Sequence, residues 1–404
     1  MNLAMAVLTW TTCSAALPLS RTGSLSWRPE LDARAKALAP SLAKADPDAL
    51  TGAVQAEARR RLAAFISGIQ AYRSHPYRRR LAEPAEVWRA GSTRLLDYGP
   101  FVKTARGGPK AGPVPLLVVP SLINRAYILD LSERTSFLRW LAARGVRPFL
   151  VDWGRPGAEE RGFSLTDYVA GRLEAALDRV IQAGKGPPIL VGYCMGGMLA
   201  LALALRRPRD LAGLALLATP WDFHAEQAEL ARRAALASVT FAPVVETLGE
   251  LPTDVIQVLF ASLDPQMAIR KFAAFARLDP AGDRAEAFVA LEDWLNDGVP
   301  LAAAVARECL GSWYGDNTAH EGRWRIAGQP VDPARLTLPS LCVIPDRDRI
   351  VPPASALALA AALQGSTVLN PTLGHVGMMA SSRAERQAWT PILAWLRATA
   401  AERT

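Results

Sequence analysis

Cysteine and histidine are both scarce in this chain of 404 residues, which holds four of each. The cysteines are far apart, at Cys13, Cys194, Cys309 and Cys342, and none stands in a C-x-x-C pair. This spacing excludes a disulfide framework and the usual structural zinc sites. We therefore expect a protein without a metal ion or a bound cofactor, in a reducing compartment, and we assign it to the cytoplasm.

Long apolar runs are also missing. No uncharged apolar segment reaches the roughly 18 residues that a transmembrane helix requires, so we expect no transmembrane segment. The stretch from Met1 to Leu19 is mostly apolar, but it lacks the basic residues that begin a secretory signal, and three threonines and Ser14 interrupt it. We predict that residues 1–30 form a disordered tail, or that the true start lies later, with Met5 as one alternative.

Basic residues exceed acidic ones, 46 against 38, which gives a formal net charge of +8. Such an excess attracts nucleic acid, anionic lipid or a phosphorylated small molecule. The arginines are spread along the chain, and no zinc-finger spacing, aromatic RNA-binding stretch or basic heptad region accompanies them. We therefore expect no nucleic-acid partner and interpret most of the charge as the solvated faces of helices.

Hydrophobic residues make up 50% of the sequence, enough for a large core. Residues 31–96 have the apolar period of helices and are predicted as an N-terminal helical segment. Over 97–220 and 336–404 short apolar runs alternate with helical stretches, which predicts a mostly parallel sheet covered by helices on both faces. The helical insertion 221–335 is predicted as a cap over the site. The runs predicted as strands are 116–119, 148–152, 189–191, 214–218, 341–344 and 367–369.

The sharpest motif is Gly-x-Cys-x-Gly, formed by Gly192, Cys194 and Gly196 between a predicted strand and a predicted helix. In a nucleophile elbow the reactive side chain stands on a strained strand-to-helix turn, and the flanking glycines let the chain bend and pack closely. The helix start stabilises a thiolate, and the backbone N–H of Met195 becomes one donor of an oxyanion hole. The alternative for a lone cysteine is a small apolar core residue, which is our interpretation of the other three.

A nucleophile of this kind needs a general base and an acid that orients the base. In the α/β-hydrolase fold the order along the chain is nucleophile, acid, histidine. Asp348 follows the predicted strand 341–344, and His375 lies 27 residues further on. Asp346 competes as the acid, but Asp348 stands next to the predicted start of a helix and is preferred. The sequence thus predicts an α/β-hydrolase fold with a helical cap insertion, an N-terminal helical extension and a triad of Cys194, Asp348 and His375.

Together these motifs resemble those of the polyhydroxyalkanoate (poly-3-hydroxybutyrate) synthases, the acyltransferases that polymerise 3-hydroxyacyl-CoA. The similar segments are 115–131, 149–156, 165–169, 294–297, 348–353 and 374–375. The resemblance implies a short-chain-length member or a divergent relative, with Cys194 as nucleophile, Asp348 as orienting acid and His375 as general base. The chain departs from the family pattern at Asn124-Arg125, at Arg349 and at Gly374-His-Val-Gly-Met378.

The resemblance also implies a cysteine acyl-enzyme that forms with release of CoA, its oxyanion resting on the N–H groups of Met195 and of the Ser121-Leu122 loop. The substrate is then a 3-hydroxyacyl-CoA thioester, whose phosphates arginine side chains can meet. Further partners implied are a polyester granule surface and either a second copy of the chain or a partner synthase subunit. Two other classes stay open: a cysteine-dependent hydrolase (thioesterase, polyester depolymerase or dienelactone-hydrolase-like esterase) and a non-catalytic granule-associated or subunit protein.

Overall fold

The structure, a computed structural model, describes residues 12–13, 15–27, 29–102, 114–184, 186–226 and 228–402. Its largest sheet consists of β1 Ala85–Ala90, β2 Thr93–Asp97, β3 Val114–Val119, β4 Val146–Asp152, β5 Ile189–Tyr193, β6 Gly213–Leu217, β7 Ser340–Val343 and β8 Thr367–Leu369. The spatial order of these eight strands is β1-β2-β4-β3-β5-β6-β7-β8. Strands β3 to β8 pair in parallel, whereas β2 pairs with β1 and with β4 in antiparallel fashion.

The parallel strands form from short apolar runs, because a strand covered by helices on both faces buries nearly every side chain. All five residues of β5 are buried, and so are all five of β6. Each of the six strands predicted from the sequence is present, with bounds shifted by at most two residues. The predicted sheet is therefore confirmed.

The predicted N-terminal helical segment 31–96 is wrong over its last part. The helix ends at Ser74, and residues 85–97 form β1 and β2, an antiparallel hairpin on the sheet. Gly91, at φ 56°, turns the chain between the two strands. The hairpin contains valine, tryptophan, threonine and leucine, which fit a pleated, partly buried surface better than a helix.

From residue 29 onwards the α-helices of the described residues are α1 Pro29–Lys44, α2 Pro47–Ser74, α3 Phe137–Ala142, α4 Glu174–Ala183, α5 Met195–Arg206, α6 Ala228–Leu248, α7 Thr253–Leu263, α8 Met267–Phe275, α9 Asp283–Asn296, α10 Ala303–Arg307, α11 Pro353–Ala362, α12 Gly377–Ala380 and α13 Thr390–Ala401. Segments of π-helix are Asp167–Leu173, Glu308–Gly315 and Glu385–Trp389. Two short ladders pair Glu250–Leu251 with Leu301–Ala302 and Arg325–Ile326 with Gln329–Pro330.

The chain divides into two compact units, residues 1–78 with 264–289 and residues 79–263 with 290–404. In the smaller unit, the rings of Phe65 on α2 and Phe272 on α8 pack edge to face, with centroids 6.1 Å apart. A Cβ atom on Gly68 would lie 2.0 Å from the backbone oxygen of Phe272, so the two helix backbones are in direct contact there. Residues 264–289 of the predicted cap therefore belong to the same unit as the N-terminal helices.

The predicted tail 1–30 lies partly outside the described residues, which omit 1–11, 14 and 28. Of the rest, residues 12–13 and 15–22 are helical, a difference from the expected disorder. Among the helices of the described residues, none combines the length and the apolar character that crossing a bilayer demands.

Gly68→Ala is expected to destabilise the protein, because the added methyl group meets the backbone of Phe272; overpacking of this kind costs roughly 1–3 kcal/mol. Gly52→Ala on the same helix is the matched control. No described atom lies within 4 Å of a Cβ there, and the higher helix propensity of alanine should add up to about 1 kcal/mol of stability. Denaturant unfolding measures both variants, and equal stabilities would contradict the close contact.

Candidate active site

Cys194 lies between the end of β5 and the start of α5. Its backbone has φ 56° and ψ −130°, a conformation that costs a non-glycine residue roughly 1–3 kcal/mol. The N–H of Cys194 donates to the carbonyl of Leu217 at 2.8 Å, and its carbonyl accepts from the N–H of Gly197 at 2.9 Å. These two hydrogen bonds hold the strained turn in place, with the cysteine side chain half-buried.

The predicted elbow glycines stand where backbone approaches backbone. A Cβ atom on Gly192 would lie 2.4 Å from the Cα of Gly197, and one on Gly196 would lie 2.2 Å from the carbonyl oxygen of Val119. The sequence analysis missed Gly197, on which a Cβ would lie 1.8 Å from Oγ1 of Thr219. The sequence signal that could have identified Gly197 is its position as the second glycine of the pair Gly196-Gly197. Larger residues at these positions would push the helix away from the strands.

The residues predicted to form the oxyanion hole lie at the start of α5 and in the loop after β3. Met195 is the first residue of α5, where backbone N–H groups lack a partner within the helix. Ser121 and Leu122 are buried, and the close approach of Gly196 to the carbonyl of Pro120 brings their loop against the helix start. Within the described residues, no group of three or more His, Cys, Asp or Glu side chains is placed to hold a metal ion.

Asp348 and His375 lie in the loops after β7 and β8, and their side chains are in contact. Nδ1 of His375 is 2.7 Å from Oδ2 of Asp348, and both residues are buried. The other carboxylate oxygen accepts the N–H groups of Ile350 at 2.8 Å and Val351 at 2.9 Å. These bonds fix the direction of the carboxylate. The rival acid Asp346 is exposed, so the geometry pairs His375 with Asp348.

The environment of His375 favours its protonated form. Burial lowers the pKa of an imidazole, but the charges of Cys194 and Asp348 and hydrogen bonds to both outweigh it and raise the pKa of His375 to about 10. A protonated imidazole beside a cysteine stabilises the thiolate. Burial and the same two charges raise the pKa of Tyr193 well above 10, so its hydroxyl stays neutral and donates to the backbone oxygen of His375 at 3.3 Å.

Tyr314 is a further residue of the site that the sequence analysis missed. It lies in the π-helical segment Glu308–Gly315 and interacts electrostatically with Cys194. Burial, together with the charge of Cys194, raises the pKa of Tyr314 above its ordinary range, so the hydroxyl is neutral. No motif signals this residue, because only the folded chain brings the insertion 221–335 near the elbow.

The segment Trp294–Asp297, which is similar to the family, contacts Asn124-Arg125, where the chain departs from the family pattern. Nε1 of Trp294 donates to the backbone oxygen of Arg125 at 2.8 Å, and Nε of Arg125 is 3.3 Å from Oδ1 of Asp297. Asn124 also forms a backbone bridge with Gly298. The loop after β3, which contains Ser121 and Leu122, is thus tied to the insertion.

The imidazole of His375 should titrate near pH 10, and Asp348→Asn should lower its pKa because the change removes one of the charges that raise it. Since the folded-state pKa lies above the ordinary 6.5, protonation stabilises the fold. That stabilisation is complete below about pH 6.5 and is lost as the pH rises through about 10. NMR of the imidazole ring measures the pKa. Asp346→Asn is the control and should leave the pKa of His375 unchanged. An unchanged pKa in Asp348→Asn as well would contradict the pairing of His375 with Asp348.

Comparison with protein families agrees with this architecture. A family model described as "alpha/beta hydrolase fold" matches residues 114–379, which confirms the predicted fold. A second, described as "Poly-beta-hydroxybutyrate polymerase (PhaC) N-terminus", matches residues 82–141. The solved structure of a thermophilic esterase from Thermogutta terrifontis is similar, with a TM-score of 0.45 and 19% identity over 79% of this chain and 98% of that one.

Two curated relatives of similar identity to this chain share a name. Poly(3-hydroxyalkanoate) polymerase subunit PhaC of Allochromatium vinosum is 31% identical, over 72% of this chain and 82% of the relative. The protein of that name from Synechocystis is 32% identical, over 70% of this chain and 78% of the relative. The chain therefore belongs to the family of poly(3-hydroxyalkanoate) polymerase PhaC subunits.

Proposed function

We propose that the chain is a polyhydroxyalkanoate synthase, an acyltransferase that moves 3-hydroxyacyl groups from CoA to the hydroxyl end of a growing polyester. One observation carries the assignment of the catalytic residues. Nδ1 of His375 lies 2.7 Å from Oδ2 of Asp348, and the imidazole interacts electrostatically with Cys194, which stands on the strained turn before a helix. A nucleophile, a base and an orienting acid in this arrangement support covalent acyl transfer.

In the first half of the reaction, the Cys194 thiolate attacks the thioester carbonyl of a 3-hydroxyacyl-CoA. The negative charge that develops on the carbonyl oxygen is stabilised by the N–H of Met195 and by one from the Ser121-Leu122 loop. The carbon–sulfur bond to CoA then breaks, and the imidazolium of His375 gives its proton to the departing CoA sulfur. Exchange of one thioester for another is nearly balanced in free energy, which suits a cysteine nucleophile.

In the second half, the neutral His375 takes the proton of a 3-hydroxyl group on the growing chain or on the next monomer. The oxygen attacks the acyl carbonyl on Cys194, and the cysteine leaves as the thiolate that began the cycle. Asp348 holds the imidazole in one orientation and stabilises its positive charge throughout. Burial of His375 and Asp348 keeps these interactions strong, because fewer water molecules screen them.

The names of the relatives favour this function over the alternatives. Cysteine-dependent hydrolysis needs the same three side chains, so only the acceptor of the acyl group separates it from polymer synthesis. A non-catalytic granule protein would not need a base held against both a carboxylate and a cysteine. A CoA thioester as substrate follows from the same proposal, whereas contact with a polyester granule and pairing with a second copy or a partner subunit remain predictions.

Cys194→Ala should lower the rate of CoA release from 3-hydroxybutyryl-CoA by about a thousandfold or more, because it removes the nucleophile. Cys342→Ala is the matched control: burial raises the pKa of that thiol to about 12, so it stays protonated in the sheet. Chromatography of CoA, free hydroxy acid and polymer follows each reaction. For a synthase, the amount of monomer incorporated into polymer should equal the amount of CoA released.

Two results would contradict the proposal. Free hydroxy acid equal to the CoA released would show a hydrolase. CoA release unaffected by Cys194→Ala would place the chemistry elsewhere or exclude it from this chain.

A further inference from the structure

An apolar cavity lies in the larger unit, close to the residues assigned to catalysis. Its empty volume is about 620 Å³, which includes its opening to solvent. Side chains from α6, α7 and the segment Glu308–Gly315 form much of its wall. Among them are Ala234, Ile256, Leu259, Phe260, Cys309 and Leu310.

Three other lining residues connect the cavity to the site. Tyr314 interacts electrostatically with Cys194. Ile350 donates its backbone N–H to Asp348, and Ile123 donates its own to Oγ of Ser121 in the loop expected to contribute an oxyanion donor. The cavity is therefore lined by residues that interact with the assigned nucleophile, the orienting acid and the oxyanion loop.

The walls of the cavity suit hydrocarbon and no charged group. None of its described lining residues is a carboxylate, an ammonium, a guanidinium or an imidazole. Burial and the neighbouring charge of Glu308 raise the pKa of Cys309 far above its ordinary value, so that this thiol is neutral as well. The phosphates of CoA would lose their hydration here without gaining a partner, which excludes them from this space.

We infer that the cavity receives the alkyl substituent on carbon 3 of the acyl group, and that the enzyme prefers substituents longer than methyl. This inference rests on the proposed function. A water molecule takes roughly 30 Å³ in the liquid, and a methylene group is of similar size, so propyl to heptyl substituents need roughly 100–200 Å³. A methyl group would leave most of the walls without contacts. Of the two possibilities that the resemblance left open, a short-chain-length member or a divergent relative, this inference favours the second.

Two lining residues of different size are expected to set the length of the accepted chain. Ala234, on α6, is the smallest residue of the wall and is buried, so a larger side chain there shortens the space. Phe260, on α7, is among the largest, and its removal lengthens the space. The two positions therefore predict opposite shifts in substrate preference.

The test compares kcat/KM for CoA release from 3-hydroxybutyryl-, 3-hydroxyhexanoyl- and 3-hydroxydecanoyl-CoA by the full chain. Each buried methylene favours binding by about fourfold, so the hexanoyl substrate, with two more methylenes, should exceed the butyryl one in kcat/KM by roughly sixteenfold. Ala234→Leu should bring that ratio towards one. Phe260→Ala should instead raise the ratio of kcat/KM for the decanoyl substrate to kcat/KM for the hexanoyl substrate.

Ala237→Leu is the control, since Ala237 is buried on the same helix but is not among the described lining residues, and it should leave the ratios unchanged. The inference is overturned if wild type uses the butyryl substrate as well as or better than the hexanoyl one, or if both cavity variants keep the wild-type ratios. Absence of CoA release from all three thioesters would overturn the proposed function itself.

Discussion

The strained backbone of Cys194 is the constraint on which the arrangement of the site depends. A φ of 56° at a non-glycine residue persists only where the surroundings fix it, and here the sheet and the first turn of α5 each take one of its backbone hydrogen bonds. The turn fits because Gly192, Gly196 and Gly197 let the helix start against the strand ends. The free energy stored in this turn is balanced by the buried core around it, a distribution typical of functional sites.

The residues around this turn differ in what they contribute to the site. Asp348 is held by two backbone N–H groups and in turn holds His375, so the proposed base has a fixed position in the protein without a substrate. The electrostatic field of the cysteine and the carboxylate keeps a proton on the imidazole, which is the form that a thiolate partner requires. In our proposal the uncharged cavity adds a preference for hydrocarbon. Reactivity and selection of the acyl group would then come from neighbouring but separate sets of residues.

Much of the fold follows from local sequence signals, because a buried parallel strand must be an apolar run and a nucleophile elbow must carry glycines. That is why all six predicted strands and the partnership of Asp348 with His375 are present in the structure. The sequence analysis predicted a helix in place of the hairpin 85–97 because the alanines and arginines of this segment also suit a helix. Tyr314, and the packing of Gly68 on the helix of Phe272, depend on segments distant in sequence, which no local pattern brings together.

The central claim is that Cys194 carries the acyl group, and butyryl-CoA tests it most directly. This thioester lacks the 3-hydroxyl group, so an acyl group once transferred to the enzyme cannot be passed on to a further copy of the substrate. Peptide mass spectrometry of the full chain after incubation should find a butyryl adduct on Cys194, and none on Cys13, Cys309 or Cys342. An adduct on one of those three cysteines, or an unmodified Cys194 while CoA is released, would contradict the account.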